Sequence, residues 1–142
     1  MRLVSILKIL GALAAVALAG GCGDSYGGRC AVSGTIMFQG KPLDHGQITF
    51  VPTSPGLATQ AGTDIRAGRY AIARAKGLVP GKYRVIISSG DGVTPADPSG
   101  GPPGPSGNFS SKERIPSAYN TGSRQEVEVT KQGPNQFDFT IP

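Results

Sequence analysis

From Cys30 to Pro142 the apolar residues recur at every second position in short runs bounded by glycine and proline, and no helical periodicity follows Cys22. Alternation of period two buries one side chain in two, so it specifies strands in sheets with one wet face. Val32, Ile36 and Phe38 share a face of a first strand, with Gly34 on that face allowing close approach and Ser33 and Thr35 pointing the other way. Gly40 to Gly46 carries turn residues, and Gln47–Val51 reads as a second strand ended by Pro52. Ala58–Thr63 is at best a weak third. The clearest strands are Arg69–Arg74, with Tyr70 and Ile72 alternating, and Lys82–Ser88, with Tyr83, Val85 and Ile87 alternating. Glu126–Thr130 and Gln136–Ile141 supply the last two.

Short strands, frequent turns and no helix predict an all-β antiparallel Greek-key β-sandwich of about seven strands over residues 30–142. A closed barrel is the competing architecture. The chain holds 22 glycines and 12 prolines, and many fall between Ser89 and Glu113, where little can be buried. Such a segment cannot offset its ordering entropy, so a mobile Gly/Pro-rich loop is expected at about 89–113.

The N-terminus constrains location. Arg2 and Lys8 precede the uncharged run Ile9–Leu18, and the small residues Ala19, Gly20 and Gly21 lead directly into Cys22. This is the layout of a secretory signal peptide over 1–21, and a cysteine after the small residues resembles a bacterial lipobox. The uncharged stretch is shorter than the roughly 20 residues a membrane-spanning helix needs. Cys22 is thus the expected lipidation site, residues 22–29 a flexible tether, and the cell envelope the expected location. Cleavage near Gly21 without lipidation would instead leave Cys22 free to pair with Cys30. With Cys22 acylated, Cys30 is expected to be a small buried residue at the start of the first strand. The formal charge of +5 includes the two signal-peptide cations, and the remaining Lys and Arg are dispersed among Asp and Glu. No clustered basic face with stacking aromatics is visible, so no nucleic-acid partner is expected.

Six motifs follow one another in a familiar order: Val32-Ser33-Gly34-Thr35-Ile36, Gly40-Lys41-Pro42-Leu43, Gly46 to Pro52, Gly68-Arg69-Tyr70, Gly77 to Val85, and Ile115 to Asn120. Together they resemble the small bacterial lipoproteins with a carboxypeptidase regulatory-like, transthyretin-like domain. The resemblance covers nearly all of Cys30–Pro142 and implies a seven-stranded prealbumin-type sandwich at the cell envelope. This chain has Ala67-Gly68 where the family often has an Asp-Gly turn, and Arg124-Gln125 where an apolar residue is frequent.

Chemistry-bearing residues are few. His45 is the single histidine. It could be drawn into a triad with Asp44 and a serine, yet no serine has a nucleophile-elbow pattern around it, so an exposed turn imidazole is the expected reading. Transthyretin-related hydrolases of hydroxyisourate resemble this fold but rely on several histidines and a C-terminal tetrapeptide ending in Ser, whereas this chain ends Phe139-Thr140-Ile141-Pro142. Asp91, Asp97 and Glu113 lack the spacing of a calcium loop and read as solvated carboxylates. No catalytic residue, metal or cofactor is expected. Tyr119 after Ile115-Pro116 either packs the loop against the domain or marks a contact surface, and Pro102-Pro103 could serve as an extended ligand for a partner. The expected role is therefore structural or interactive and non-enzymatic, through a membrane anchor and an envelope protein or glycan. The alternatives are peptide or glycan binding at a sheet edge or end loops, and a hydrolase using His45.

Overall fold

The structure is a computed structural model that describes residues 26–57, 59–92 and 111–142. It is all-β, with eight strands: β1 Val32–Phe38, β2 Lys41–Pro42, β3 His45–Pro52, β4 Ala61–Arg66, β5 Arg69–Ile72, β6 Gly81–Ser88, β7 Glu126–Val129 and β8 Phe139–Ile141. Two single turns of 3-10 helix, Arg74–Lys76 and Ser117–Tyr119, are the helical geometry among the described residues. The strands form one sheet in the order β2-β1-β5-β4-β3-β6-β7, with β8 on the other side of β1. The sheet curls into a half-barrel.

The alternation sets which side closes. Val32 and Ile36, Ile48 and Phe50, Ile65, Tyr70 and Ile72, Tyr83, Val85 and Ile87, Val129, Phe139 and Ile141 all point into the hollow and are almost fully buried. Leu43, Leu78 and Ile115 fill its ends from the connections. Each such side chain contributes about 1.5–3 kcal/mol by leaving water, and a slip of one residue in any strand would turn its set outward.

Two hairpins fix register. Gln39 and Gly40 have φ of 51° and 76°, and Met37 and Phe38 pair with Pro42 and Lys41 across them. Ala67 and Gly68 repeat this geometry, with φ of 49° and 73°, between the paired Arg66 and Arg69. Positive φ at both central residues matches the twist of the flanking strands.

Three expectations need correction. The third strand is Ala61–Arg66 rather than Ala58–Thr63, because Ile65 rather than Ala61 drives its inward face. The arrangement is not wholly antiparallel, since β8 runs parallel to β1 with Ile36 opposite Phe139 and Phe38 opposite Ile141. That last strand is also shorter than expected. The Thr35 amide and hydroxyl both donate to Asp138 Oδ1, at 2.7 and 2.8 Å, so a side chain replaces a carbonyl and the ladder starts only at Phe139, three residues after Gln136, with a single bridge from Gln136 to Ser33 behind it.

Gly34 does allow close approach, as its sequence position suggests. A Cβ there would lie 1.8 Å from the Phe137 carbonyl oxygen. The same oxygen accepts from the Tyr70 hydroxyl at 2.7 Å, and the Phe50 ring lies between, with centroids 6.0 Å from Tyr70 and 6.5 Å from Phe137. This knot ties the C-terminal segment onto β1 and β5.

The ends of the half-barrel carry different features. Tyr26–Arg29, read as tether from sequence, turns back so that the Arg29 guanidinium donates to Gly77 O at 2.7 Å, and Cys30 bridges Leu78. This is the end where the chain enters. At the opposite end, Ser89–Gly92 and Ser111–Arg114 pair with each other: Gly90 bridges Glu113, Asp91 N donates to Lys112 O and Arg114 N to Ser89 O, both at 2.9 Å. Residues 93–110 are inserted there.

Candidate functional site

The densest polar cluster among the described residues lies under that insertion. β3 begins at His45, whose Nδ1 is 2.9 Å from Asp44 Oδ2 and whose Nε2 is 2.9 Å from Gly90 O. Arg114 reaches across with Nη2 donating at 2.6 Å to both Asp44 Oδ1 and Ser89 Oγ, and Ser89 Oγ donates to His45 O at 2.7 Å. Glu113 Oε1 accepts from the amides of Ser89 and Ile115, at 2.9 and 2.8 Å, and its Oε2 accepts from Asn120 Nδ2 at 3.0 Å. Asn120 also donates to Ile87 O at 2.8 Å, and Ser123 Oγ donates to Val85 O.

Burial explains why these bonds matter. Ser89, Asn120 and Ser123 are the polar residues buried among the described residues, and each donates a side-chain hydrogen bond to a backbone carbonyl of β3 or β6. The Arg114 guanidinium holds the Asp44 carboxyl down to about 2, with His45 adding to the effect. Glu113 is therefore not simply a solvated carboxylate: it stitches the two stems of the insertion to each other and to the 3-10 turn.

The cluster lacks the parts of a hydrolytic triad. The His45 ring lies between Asp44 Oδ2 and Gly90 O, and neither of its nitrogens is directed at a serine hydroxyl among the hydrogen bonds it makes. Ser89 is 2% exposed, and its hydroxyl is bonded to the His45 backbone oxygen rather than to its ring. What the arrangement does is clamp: it converts the root of an 18-residue insertion into a fixed mount.

Beside it, the outer sheet face carries two polar rows set by register. His45, Arg66, Arg69 and Thr35 face one another across β3, β4, β5 and β1, and Ser88, Gln47 and Asp64 run parallel to them. Two adjoining hollows of about 490 and 510 Å³ lie along these rows and share Asp64 and Arg66. Arg66 reaches Asp64 at 3.5 Å, with both side chains more than half exposed, a contact of little energetic weight. The sheet ends on one side at β7, four residues long with Glu126 and Glu128 exposed. A short charged edge discourages strand addition.

Among the remaining expected site residues, Cys22, Pro102 and Pro103 lie outside the described residues. Tyr119 closes the 3-10 turn half-buried against the core, its hydroxyl 3.4 Å from Thr140 O. Cys30 is half-buried and its Sγ lies 3.7 Å from Gly28 O. Among the described residues no group of three or more potential metal ligands comes together, and no helix is long and apolar enough to cross a membrane. Arg114, Ser89 and Asn120 escape sequence reading. The available signal is only that polar residues flank both ends of the Gly/Pro-rich stretch.

No protein-family model, curated protein or solved structure matches the chain.

Proposed function

We propose that this chain is an exported lipoprotein, acylated at Cys22, whose transthyretin-like Greek-key domain is a non-enzymatic mount that presents its Gly/Pro-rich insertion to an envelope protein or glycan. The observation that carries this reading is the opposition of the two ends. The chain enters at Tyr26–Cys30, and the paired stems of the insertion leave from the far end of β6. Eight residues of extended strand separate them, about 25 Å at the usual rise. A module anchored at its entry would hold the insertion on the side away from the membrane. The clamp around Ser89 and Glu113 supports the same reading, because fixing both stems lowers the entropy lost when the segment between them meets a partner. The sandwich topology draws support from the way β1 changes neighbours along its length, β5 beside its first half and β2 beside its second.

The test is expression of the full chain in a bacterial host. Mass spectrometry should find an N-terminal diacylglyceryl-Cys22 and no Met1–Gly21, and a photo-crosslinker at Ser106 should capture an envelope component that one at Lys76 does not. An intact Met1 would refute the anchoring. A hydrolytic activity abolished by His45→Ala would refute the non-enzymatic role.

A further inference from the structure

The connections at the entry end carry one sign of charge. Residues 26–31, 53–57, 59–60, 73–80 and 130–135 contain Arg29, Arg74, Lys76 and Lys131 and not one Asp or Glu. The opposite end is mixed, with Asp44, Asp91 and Glu113 set among Lys41, Lys112, Arg114 and Arg124. We infer that the entry end is a docking face for the anionic phospholipid headgroups of the membrane that anchors the chain, an inference that rests on the lipoprotein reading above.

Geometry makes the four cations one surface. Arg29, Arg74 and Lys131 line a single depression of about 260 Å³ together with Gly28, Cys30 and Pro134. Arg74 Nε donates to Arg29 O at 2.9 Å and Arg29 to Gly77 O, which places Lys76 on the same rim. Arg29 Nη1 and Arg74 Nε donate to backbone carbonyls, and no carboxylate among the described residues pairs with Arg29, Lys76 or Lys131. Arg29, Lys76 and Lys131 thus carry charge that no carboxylate among the described residues offsets through an ion pair. Tyr26, the large apolar side chain most exposed among the described residues at 47%, stands at this face with the Arg74 guanidinium 5.9 Å from its ring centroid. An aromatic ring flanked by cations suits the headgroup layer, where one side is apolar and the other wet.

Chain length supplies the reason a bilayer, rather than another anion, is the occupant. Three residues, Gly23, Asp24 and Ser25, separate Tyr26 from Cys22, and the four steps between them span at most about 14 Å of extended backbone. A cationic face held that close to an anionic surface lies within about two Debye lengths at physiological salt and can close the remaining gap. One acyl attachment point with a basic patch beside it is a two-signal anchor. Docked this way, the half-barrel stands with β6 directed away from the bilayer and the insertion outermost.

The experiment uses the full chain processed by its host and reconstituted into vesicles of phosphatidylcholine alone or with one third phosphatidylglycerol. Amine acylation by a water-soluble reagent is followed lysine by lysine. Lys76 and Lys131 should react about fivefold more slowly on the anionic vesicles, the factor one basic side chain contributes at such a surface, and recover in 0.5 M salt by screening, ~0.5 M being a Debye length of about 4 Å. Lys41 and Lys112, at the far end, should react equally on both. Equal reactivity of Lys76 and Lys131 on the two vesicles would overturn the inference while flotation with neutral vesicles leaves the anchor standing. Failure to float with neutral vesicles would overturn the anchor. In that event, salt-sensitive flotation with anionic vesicles that Lys76→Glu/Lys131→Glu abolishes would still uphold the basic face, and its absence would remove both.

Discussion

Arg114 Nη2 lies 2.6 Å from Asp44 Oδ1 although the two residues are 70 positions apart. The pair joins the stem of the insertion to the turn before β3, and it makes the domain's stability depend on acid. Asp44 has its carboxyl held from 3.8 down to about 2, chiefly by Arg114. A depressed folded-state value gives stabilisation that is complete above the unfolded value and lost as pH falls through the folded one. The thermal midpoint should therefore decline between about pH 4 and pH 2, and Asp44→Asn should have a lower midpoint at neutral pH but a shallower decline across that window. Parallel titrations of wild type and variant by circular dichroism would check this. Identical slopes would show that the pair contributes nothing.

Asn120 is the hinge between the 3-10 turn and the clamp, its amide donating to Ile87 O and Glu113 Oε2 from a buried position. Asn120→Ala removes both donations and leaves a main-chain carbonyl of β6 unpaired, a loss of about 1–3 kcal/mol. Urea unfolding measures the total, and hydrogen exchange locates it: the amides of Ser89 and Ile115, which donate to Glu113, should lose protection more than those of β3. Uniform loss of protection would argue against a local clamp.

Ala67 occupies the left-handed region, φ 49°, in a two-residue hairpin turn. An L-residue with a Cβ is disfavoured there by roughly 1–2 kcal/mol, and Asn tolerates the conformation better. Ala67→Asn should stabilise the fold by about 0.5–1 kcal/mol, read as a rise in the urea midpoint with an unchanged slope. A destabilised variant would mean that the turn is held by something other than its backbone preference.

How much of this was legible in the chain depends on whether a residue acts through its own side chain or through a distant partner. β3, β5 and β6 are readable because Ile48 and Phe50, Tyr70 and Ile72, and Tyr83, Val85 and Ile87 recur at every second position, mostly between polar or small neighbours, with Val51 and Ile86 as the exceptions. β4 is misplaced by the same rule, since Gly62, Thr63, Asp64 and Arg66 leave Ile65 alone to signal it, and the strand is maintained mainly by its long ladder to β3. The parallel pairing of β8 has no local signature. Asp44 and His45 are neighbours and invite attention, whereas Arg114 and Ser89 reach them only through the tertiary fold, and that partnership is what makes the imidazole a clamp component.

Gly34 offers the sharpest test of how the half-barrel closes. Its missing side chain lets the Phe137 carbonyl approach β1, and that oxygen also takes the Tyr70 hydroxyl, which burial makes a reluctant acid. Gly34→Ala would put a Cβ 1.8 Å from that oxygen and 2.8 Å from the Tyr70 oxygen. Neither can yield cheaply, because one is backbone and the other is fixed in the core. The expected cost is at least about 2 kcal/mol from overpacking and the lost hydrogen bond together, while Tyr70→Phe, which only deletes the bond, should cost about 1 kcal/mol. Urea denaturation ranks the two variants. If Gly34→Ala proved no worse than Tyr70→Phe, the C-terminal segment would have room to move outward, and the contact between β1 and Phe137 would not be what closes the hollow.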